Sequence, residues 1–300
     1  MRQLSLALIL LFSARAGVAQ QESIPRPPIY GISHVRIHVT QLQTSVTFYQ
    51  QNLGLPPDSE LCRNSLFKCF RVNSTQFVKL DPVETRSPHN FLREIGFATS
   101  DASMMRKFLL AHGVNVLPVA KSKSFPSVSV SDPEDNWIIF EQMPKLEVPA
   151  GDGQMNASVI HAGFVVHDRA ADDRFYKDIL GFHVYWHGGM KEGEDNWVDM
   201  QVPDGTDWIE YMLRVPEIAT HKQLGVMNHI ALGVPDIQAA KQQLIKNGWK
   251  GTEEPKIGRD GKWQLNLYDP DETRVELMEF KPTKEPCCSP YTGPHPGPPQ

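Results

Sequence analysis

The sequence predicts an α+β fold: four β-α-β-β-β modules paired into two domains, each with a curved mixed sheet forming a cup. Three observations predict it. Four short runs alternate in polarity like half-buried strands: "HVRIHV" from His34, "EIGFAT" from Glu94, "HAGFVV" from His161 and "HIALGV" from His229. Phe48, Phe108 and Phe175 each stand 14 residues past the start of their run, inside a helical pattern. A helix-ending glycine lies 20 residues past the start in the odd modules (Gly54, Gly181) and 19 past in the even ones (Gly113, Gly248). Such glycines supply the left-handed residue beyond a helix. The two spacings describe a duplication of a duplication.

The elements follow in order. The start, "MRQLSLALILLFSARAGVAQ", has a basic residue (Arg2), an apolar run and small residues near Ala16 and Ala19. That is the layout of a signal peptide over residues 1–19, so a secreted or periplasmic protein is expected, without membrane attachment once the leader is removed. Residues 28–146 hold the first pair of modules, with helices expected around 41–54 and 100–112. The segment "QMPKLEVPAGDGQMNA", rich in Pro, Gly and polar residues, separates the pairs. Residues 155–282 hold the second pair, in which "VDMQV" and "WIEYML" flank the turn "PDGTD". After each helix, about 30 to 45 residues alternate between apolar and polar, room for three short strands. Residues 283–300 form a Pro-rich tail too poor in apolar residues to fold alone.

Composition narrows the function. A chain of 300 residues fits about two domains. A net charge of −5 offers no footprint for nucleic acid, and no basic amphipathic stretch marks a membrane surface. The expected partner is a small molecule, and the expected state a monomer or homodimer. Cys62 and Cys69 can meet across a hairpin, Cys287 and Cys288 sit in the tail, and none has metal-site spacing. Asn73 and Asn156 lie in glycosylation sequons that matter only in a eukaryotic secretory pathway.

Strand alternation then picks out the cup. Ile230 and Leu232 turn toward the helix, whereas His229, Ala231 and Gly233 turn the other way. By the same parity Glu276, between Val275 and Leu277, and Glu210, between Ile209 and Tyr211, face the cavity. Histidine to glutamate is 49 residues in the third module (His161 to Glu210) and 47 in the fourth (His229 to Glu276). Two imidazoles and two carboxylates suit one divalent ion: Zn, Ni, Co, Fe or Mn. The first pair of modules brings His34, Lys79, Glu94 and Ile139 to the matching positions. An ammonium and an isoleucine cannot ligate, so this site is degenerate, with a Lys79–Glu94 ion pair expected or a small anion held by Arg36 and Lys79.

These features, with "FYQQNLGL", "FYKDILGF", "NHIALGVPD" and "DPDETRVELME", resemble the vicinal oxygen chelate superfamily over about residues 30 to 281. It includes glyoxalase I, extradiol dioxygenases and the bleomycin resistance proteins. The resemblance implies a metal site at His161, Glu210, His229 and Glu276. Extradiol dioxygenases use two His and one Glu for Fe(II), here His161, His229 and Glu276. Their further catalytic His is missing from "GRDGKWQLNLYDP", and Tyr268 abuts Asp269 instead of preceding the "DP" by three residues. Glu210 matches the four-ligand site of glyoxalase-like enzymes. The expectation is therefore a metal-dependent lyase or isomerase acting on a small oxygen-rich molecule through a chelated enediolate. Glu276 or Glu210 would move the proton. The alternatives are an Fe(II) extradiol-type dioxygenase and a non-catalytic small-molecule-binding protein of the resistance type.

Overall fold

The computed structural model describes residues 24–62, 66–85, 91–117, 125–143 and 153–299. The signal peptide read at residues 1–19 and most of the linker after Glu141 lie outside them. In the first pair of modules, β1 (Ile29–Val39) leads into helix α1 (Leu42–Val46), which continues as a π-helical stretch, Thr47–Asn52. Strands β2 (Lys68–Arg71), β3 (Phe77–Pro82) and β4 (Leu92–Thr99) follow, then helix α2 (Ala102–Ala111), β5 (Ser127–Ser131) and β6 (Trp137–Glu141). The second pair opens with β7 (Ser158–Val165) and α3 (Arg169–Asp172), which continues as the π-helical stretch Asp173–Ile179. Next come β8 (His183–Gly188), β9 (Trp197–Gln201), β10 (Trp208–Met212), α4 (His221–Met227) and β11 (His229–Val234). Helix α5 (Ile237–Lys246), β12 (Lys256–Ile257), β13 (Trp263–Tyr268) and β14 (Arg274–Glu279) complete it.

Two mixed sheets result among the described residues, ordered β2-β3-β1-β4-β6-β5 and β12-β13-β14-β11-β7-β10-β9-β8. Each module pairs its first strand parallel to its last, and two modules join antiparallel through β1–β4 or β7–β11. The three strands expected after each helix are present in the second sheet. In the first sheet one of them shrinks to a single bridge, Pro57 to Phe70 in one module and Val116 to Val130 in the other. Pro56 and Pro57 lack the amide hydrogens that a ladder needs. Helix α4 is an element the sequence reading did not anticipate.

The π-helical stretches explain the two glycine spacings. Leu53 N–H bonds to the Phe48 carbonyl and Leu180 N–H to that of Phe175, both five residues back. A wider turn takes up one extra residue, so the odd modules reach their glycine one position later. It also lets two adjacent aromatic residues, Phe48–Tyr49 and Phe175–Tyr176, all be buried. The even helices α2 and α5 are α-helical throughout, capped by the carboxylates of Asp101 and Asp236.

Those tyrosines tie the two sheets together. Tyr49 of the first module donates to Asp269 of the fourth at 3.2 Å, and Tyr176 of the third donates to Asp132 of the second at 2.7 Å. Each aspartate opens a "DP" turn and also accepts two backbone amides of that turn. The helices thus cross between sheets, and one apolar core joins both halves, from Val35 and Phe97 to Phe164 and Leu232. Residues 153–299 produced alone should therefore expose this shared face. We expect lower solubility and strong binding of an apolar dye relative to the full chain; equal stability of that piece in a denaturant melt would contradict the shared core.

Candidate metal centre

The register of the second sheet builds the site in two rows. Across β10, β7 and β11 run Glu210, Gly163 and His229. Across β7, β11 and β14 run His161, Ala231 and Glu276. Each row sets an imidazole and a carboxylate on either side of a residue with little or no side chain. The space is used: a Cβ on Gly163 would come within 2.1 Å of the His229 ring. Glycine is required there so that the ring can lie across the strand.

The four side chains converge. His161 Nε2 and His229 Nε2 are 3.0 Å apart. Glu210 Oε2 is 3.0 Å from His229 Nε2 and 3.8 Å from His161 Nε2, and Glu276 Oε2 is 4.0 and 3.7 Å from them. Ligating atoms of His161, Glu210 and His229 lie within 4.8 Å of one another. His229 Nδ1 donates to the Met227 carbonyl at 2.9 Å, which leaves its Nε2 lone pair aimed at the cluster. Burial, then the charges of His229 and Arg274, pushes the His161 pKa far down; burial and Arg274 do the same to His229. Both imidazoles are neutral, the form that binds metal. Burial raises both carboxyls to about 7, against the pull of Arg274. Neutral imidazoles beside ionisable carboxylates, with atoms this close, fit a divalent ion.

Beside the cluster lies a cavity of about 320 Å³ walled by Trp186, Trp197 and Trp208. Buried polar atoms without a hydrogen-bond partner belong to residues that line it: His161 Nδ1, Asp199 Oδ1, Trp208 Nε1, Asn266 Oδ1 and Arg274 Nε. Buried polar groups are nearly always paired, so this concentration marks the cup as a place for a polar ligand. A larger groove of about 990 Å³, lined by His38, Arg93, Glu134 and Ile218 among others, holds no such convergence.

Sequence reasoning missed several of these residues. Arg274 and Trp208 share the parity that singled out Glu276 and Glu210, and the same alternation finds them. Asp199 stands opposite Glu210 in the register with β9; burial and then the Glu210 charge hold its carboxyl protonated far above the usual range. Lys262 is fully buried, its ammonium 4.4 Å from the Trp208 ring and 5.3 Å from Tyr291. Tyr291 belongs to the tail, which does not fold alone but lies along β8. Thr292 N–H donates to the Tyr185 carbonyl, Trp186 Nε1 to that of Cys287, and Tyr291 OH to that of Asp260. No local sequence signal predicts that docking. Disulfides join Cys62 to Cys69 and Cys287 to Cys288.

The first sheet has the same register and different chemistry. Arg36 fills the position corresponding to Gly163, and Lys79 and Glu94 flank it. Lys79 Nζ is 2.5 Å from Glu94, the ion pair expected, and Arg36 Nη1 lies 3.2 Å from the same carboxylate. Both cations are thus engaged internally, which removes the basis for an anion site. His34 lies between Glu94 at 2.8 Å and Glu141 at 2.7 Å; Glu141 was not foreseen. Ile139 pairs beside Gly96, where the second sheet has Glu276 beside Ala231.

Comparisons with known proteins agree with this architecture. The fold is that of homoprotocatechuate 2,3-dioxygenase from Brevibacterium fuscum (19% identity, TM-score 0.65, 85% of this chain and 72% of that one). It is similar as well to the 2,3-dioxygenase LapB from Pseudomonas sp. KL28 (15%, 0.63, 91% and 96%). The enzyme from Arthrobacter globiformis gives 18% identity, a TM-score of 0.63 and coverage of 86% and 81%. No curated protein sequence matches the chain. Residues 158–277 match the family model described as Glyoxalase/Bleomycin resistance protein/Dioxygenase superfamily. The matched residues fall within the second pair of modules, and the first pair repeats the same fold.

The buried His34 network makes stability depend on pH. Burial lowers the His34 pKa, but Glu141 and Glu94 outweigh it and the net shift is upward from 6.5. Its contribution is full below about 6.5 and fades as pH rises through the folded value. Burial opposes ionisation of Glu94 and Glu141, yet His34 pairing brings both below 4.5, so their contribution is lost as pH falls. We expect His34→Gln to cost about 2 kcal/mol near pH 5.5 and less by pH 8.5 in denaturant melts. A pH-independent difference would contradict the network.

Proposed function

We propose that the protein is a metal-dependent lyase or isomerase acting on a small oxygen-rich molecule in the cup of the second sheet. Glu210 carries the reading. Its carboxylate joins both imidazoles in one compact group and approaches His229 more closely than that of Glu276, which stands 3.7 Å from His161 as a fourth candidate ligand. His161, Glu210, His229 and Glu276 would hold one divalent ion, Zn, Ni, Co, Fe or Mn. When bound, the ion supplies Lewis-acid polarisation of two adjacent substrate oxygens.

The chain's own groups account for the rest. The Met227 carbonyl orients His229, and Trp186, Trp197 and Trp208 wall the cavity in which a small molecule would sit. Glu276 Oε2 or Glu210 Oε2, both at the cluster, would take the proton from carbon. Fe(II)-dependent ring cleavage is the second reading, favoured by the likeness of the whole chain to the extradiol dioxygenases. Against it, the cavity wall carries no further imidazole beyond the cluster among the described residues. Export belongs to the same proposal; it rests on residues 1–19, and two disulfides suit an oxidising compartment.

Two substitutions separate the readings. Glu210→Gln should weaken metal binding roughly tenfold in competition with a chelator, because a neutral amide oxygen is the poorer donor. Glu276→Gln should lower turnover further than it lowers metal occupancy, having lost a ligand and the proton acceptor together. Unchanged metal affinity in Glu210→Gln would leave three ligands and turn the assignment to the dioxygenase.

A further inference from the structure

Arg274 is the one cation in contact with the ligand cluster among the described residues. It opens β14 two positions before Glu276 and so points into the same cup. Its Nη2 donates to His229 Nε2 at 2.6 Å and lies 4.0 Å from Glu210 Oε2. A guanidinium has five N–H donors. Here one meets a protein acceptor, Nε is buried without a partner, and the group lines the cavity.

Such a residue has opposing effects on two ligands. Against a divalent cation it is repulsive, and its bond to His229 uses the lone pair that the ion needs. Toward an anion in the cavity it is attractive, with a planar fork that matches a carboxylate or an enolate oxygen pair. Two carboxylates, one guanidinium and a divalent ion leave one net positive charge, which an anionic oxygen neutralises. Without the guanidinium the loaded site would already be neutral.

We propose that Arg274 sets the charge of the ligand: its guanidinium favours an anionic ligand over a neutral one of the same shape and makes metal and anion binding mutually dependent. This rests on the metal reading above and goes beyond it by naming the charge of the ligand and the residue that selects it. The coupling is reciprocal: an anion that engages Arg274 raises metal affinity by the factor by which the metal raises its own.

The test uses the full mature chain, Zn(II), and two planar probes of similar shape, the dianion oxalate and the neutral oxamide. Zinc affinity is read by competition with a chromophoric chelator, and probe affinity by calorimetry on zinc-loaded protein. In Arg274→Gln, zinc alone should bind roughly tenfold more tightly and oxalate roughly tenfold more weakly, with oxamide unchanged. Arg274→Lys, which keeps the charge, should retain most of the preference for oxalate and shows that the position tolerates change. Zinc bound by the parent, with affinity for zinc and oxalate the same in Arg274→Gln, would overturn the inference and leave the metal site standing. Loss of zinc binding in Arg274→Gln would also overturn it, making Arg274 a support for His229. Failure of the parent and of both variants to bind zinc would overturn the metal reading itself, and this inference with it.

Discussion

A histidine ring lying across a strand needs a neighbouring strand that gives it room, and the candidate site depends on that constraint. Gly163 leaves the space that the His229 ring occupies, and Gly96 does the same for His34 in the other sheet. A side chain at either position would displace the ring and remove its nitrogen from the cluster. The antiparallel junction of two modules makes the arrangement nearly symmetric. In the second sheet each module contributes one imidazole from its first strand and one carboxylate from its last, and those two strands pair in parallel.

The same scaffold holds two chemistries. In the second sheet the floor is bare, and the imidazoles face two carboxylates and Arg274. In the first, an arginine at the position of Gly163 and a lysine at that of Glu210 close the cup on itself. Glu94 there meets His34, Lys79 and Arg36, so every charge at the centre has an internal partner. The helices of that pair share the core with the second sheet, and Tyr–Asp hydrogen bonds run both ways between the two.

The cup of the second sheet is completed from outside the modules. The tail runs from the loop before β13 to the edge strand β8, so that Tyr291 covers Lys262 and contacts Tyr185. A buried ammonium facing aromatic rings, with the carboxyl groups of Asp260 and Glu276 nearby, offsets part of the negative charge beneath the site. Its pKa falls to about 8 because burial outweighs those carboxylates. The acidic cluster is thus balanced by Lys262 below and by Arg274 at its rim.

By itself the sequence determined the module count, the helix-ending glycines and the parity that turns His161, Glu210, His229 and Glu276 inward. These follow from chain periodicity, which is local and repeats every two residues in a strand. The one-residue difference between odd and even modules was also legible, but its cause, a π-helical turn, needed the hydrogen bonds. Only the tertiary structure decided which rows the four side chains share, since register joins strands distant in sequence. It alone brought Arg274 against His229, set Glu141 on His34, crossed the tyrosines between sheets and laid the tail over Lys262. Each of these is a contact between segments with no shared local pattern, held by packing and charge that become defined only once the sheets have curved.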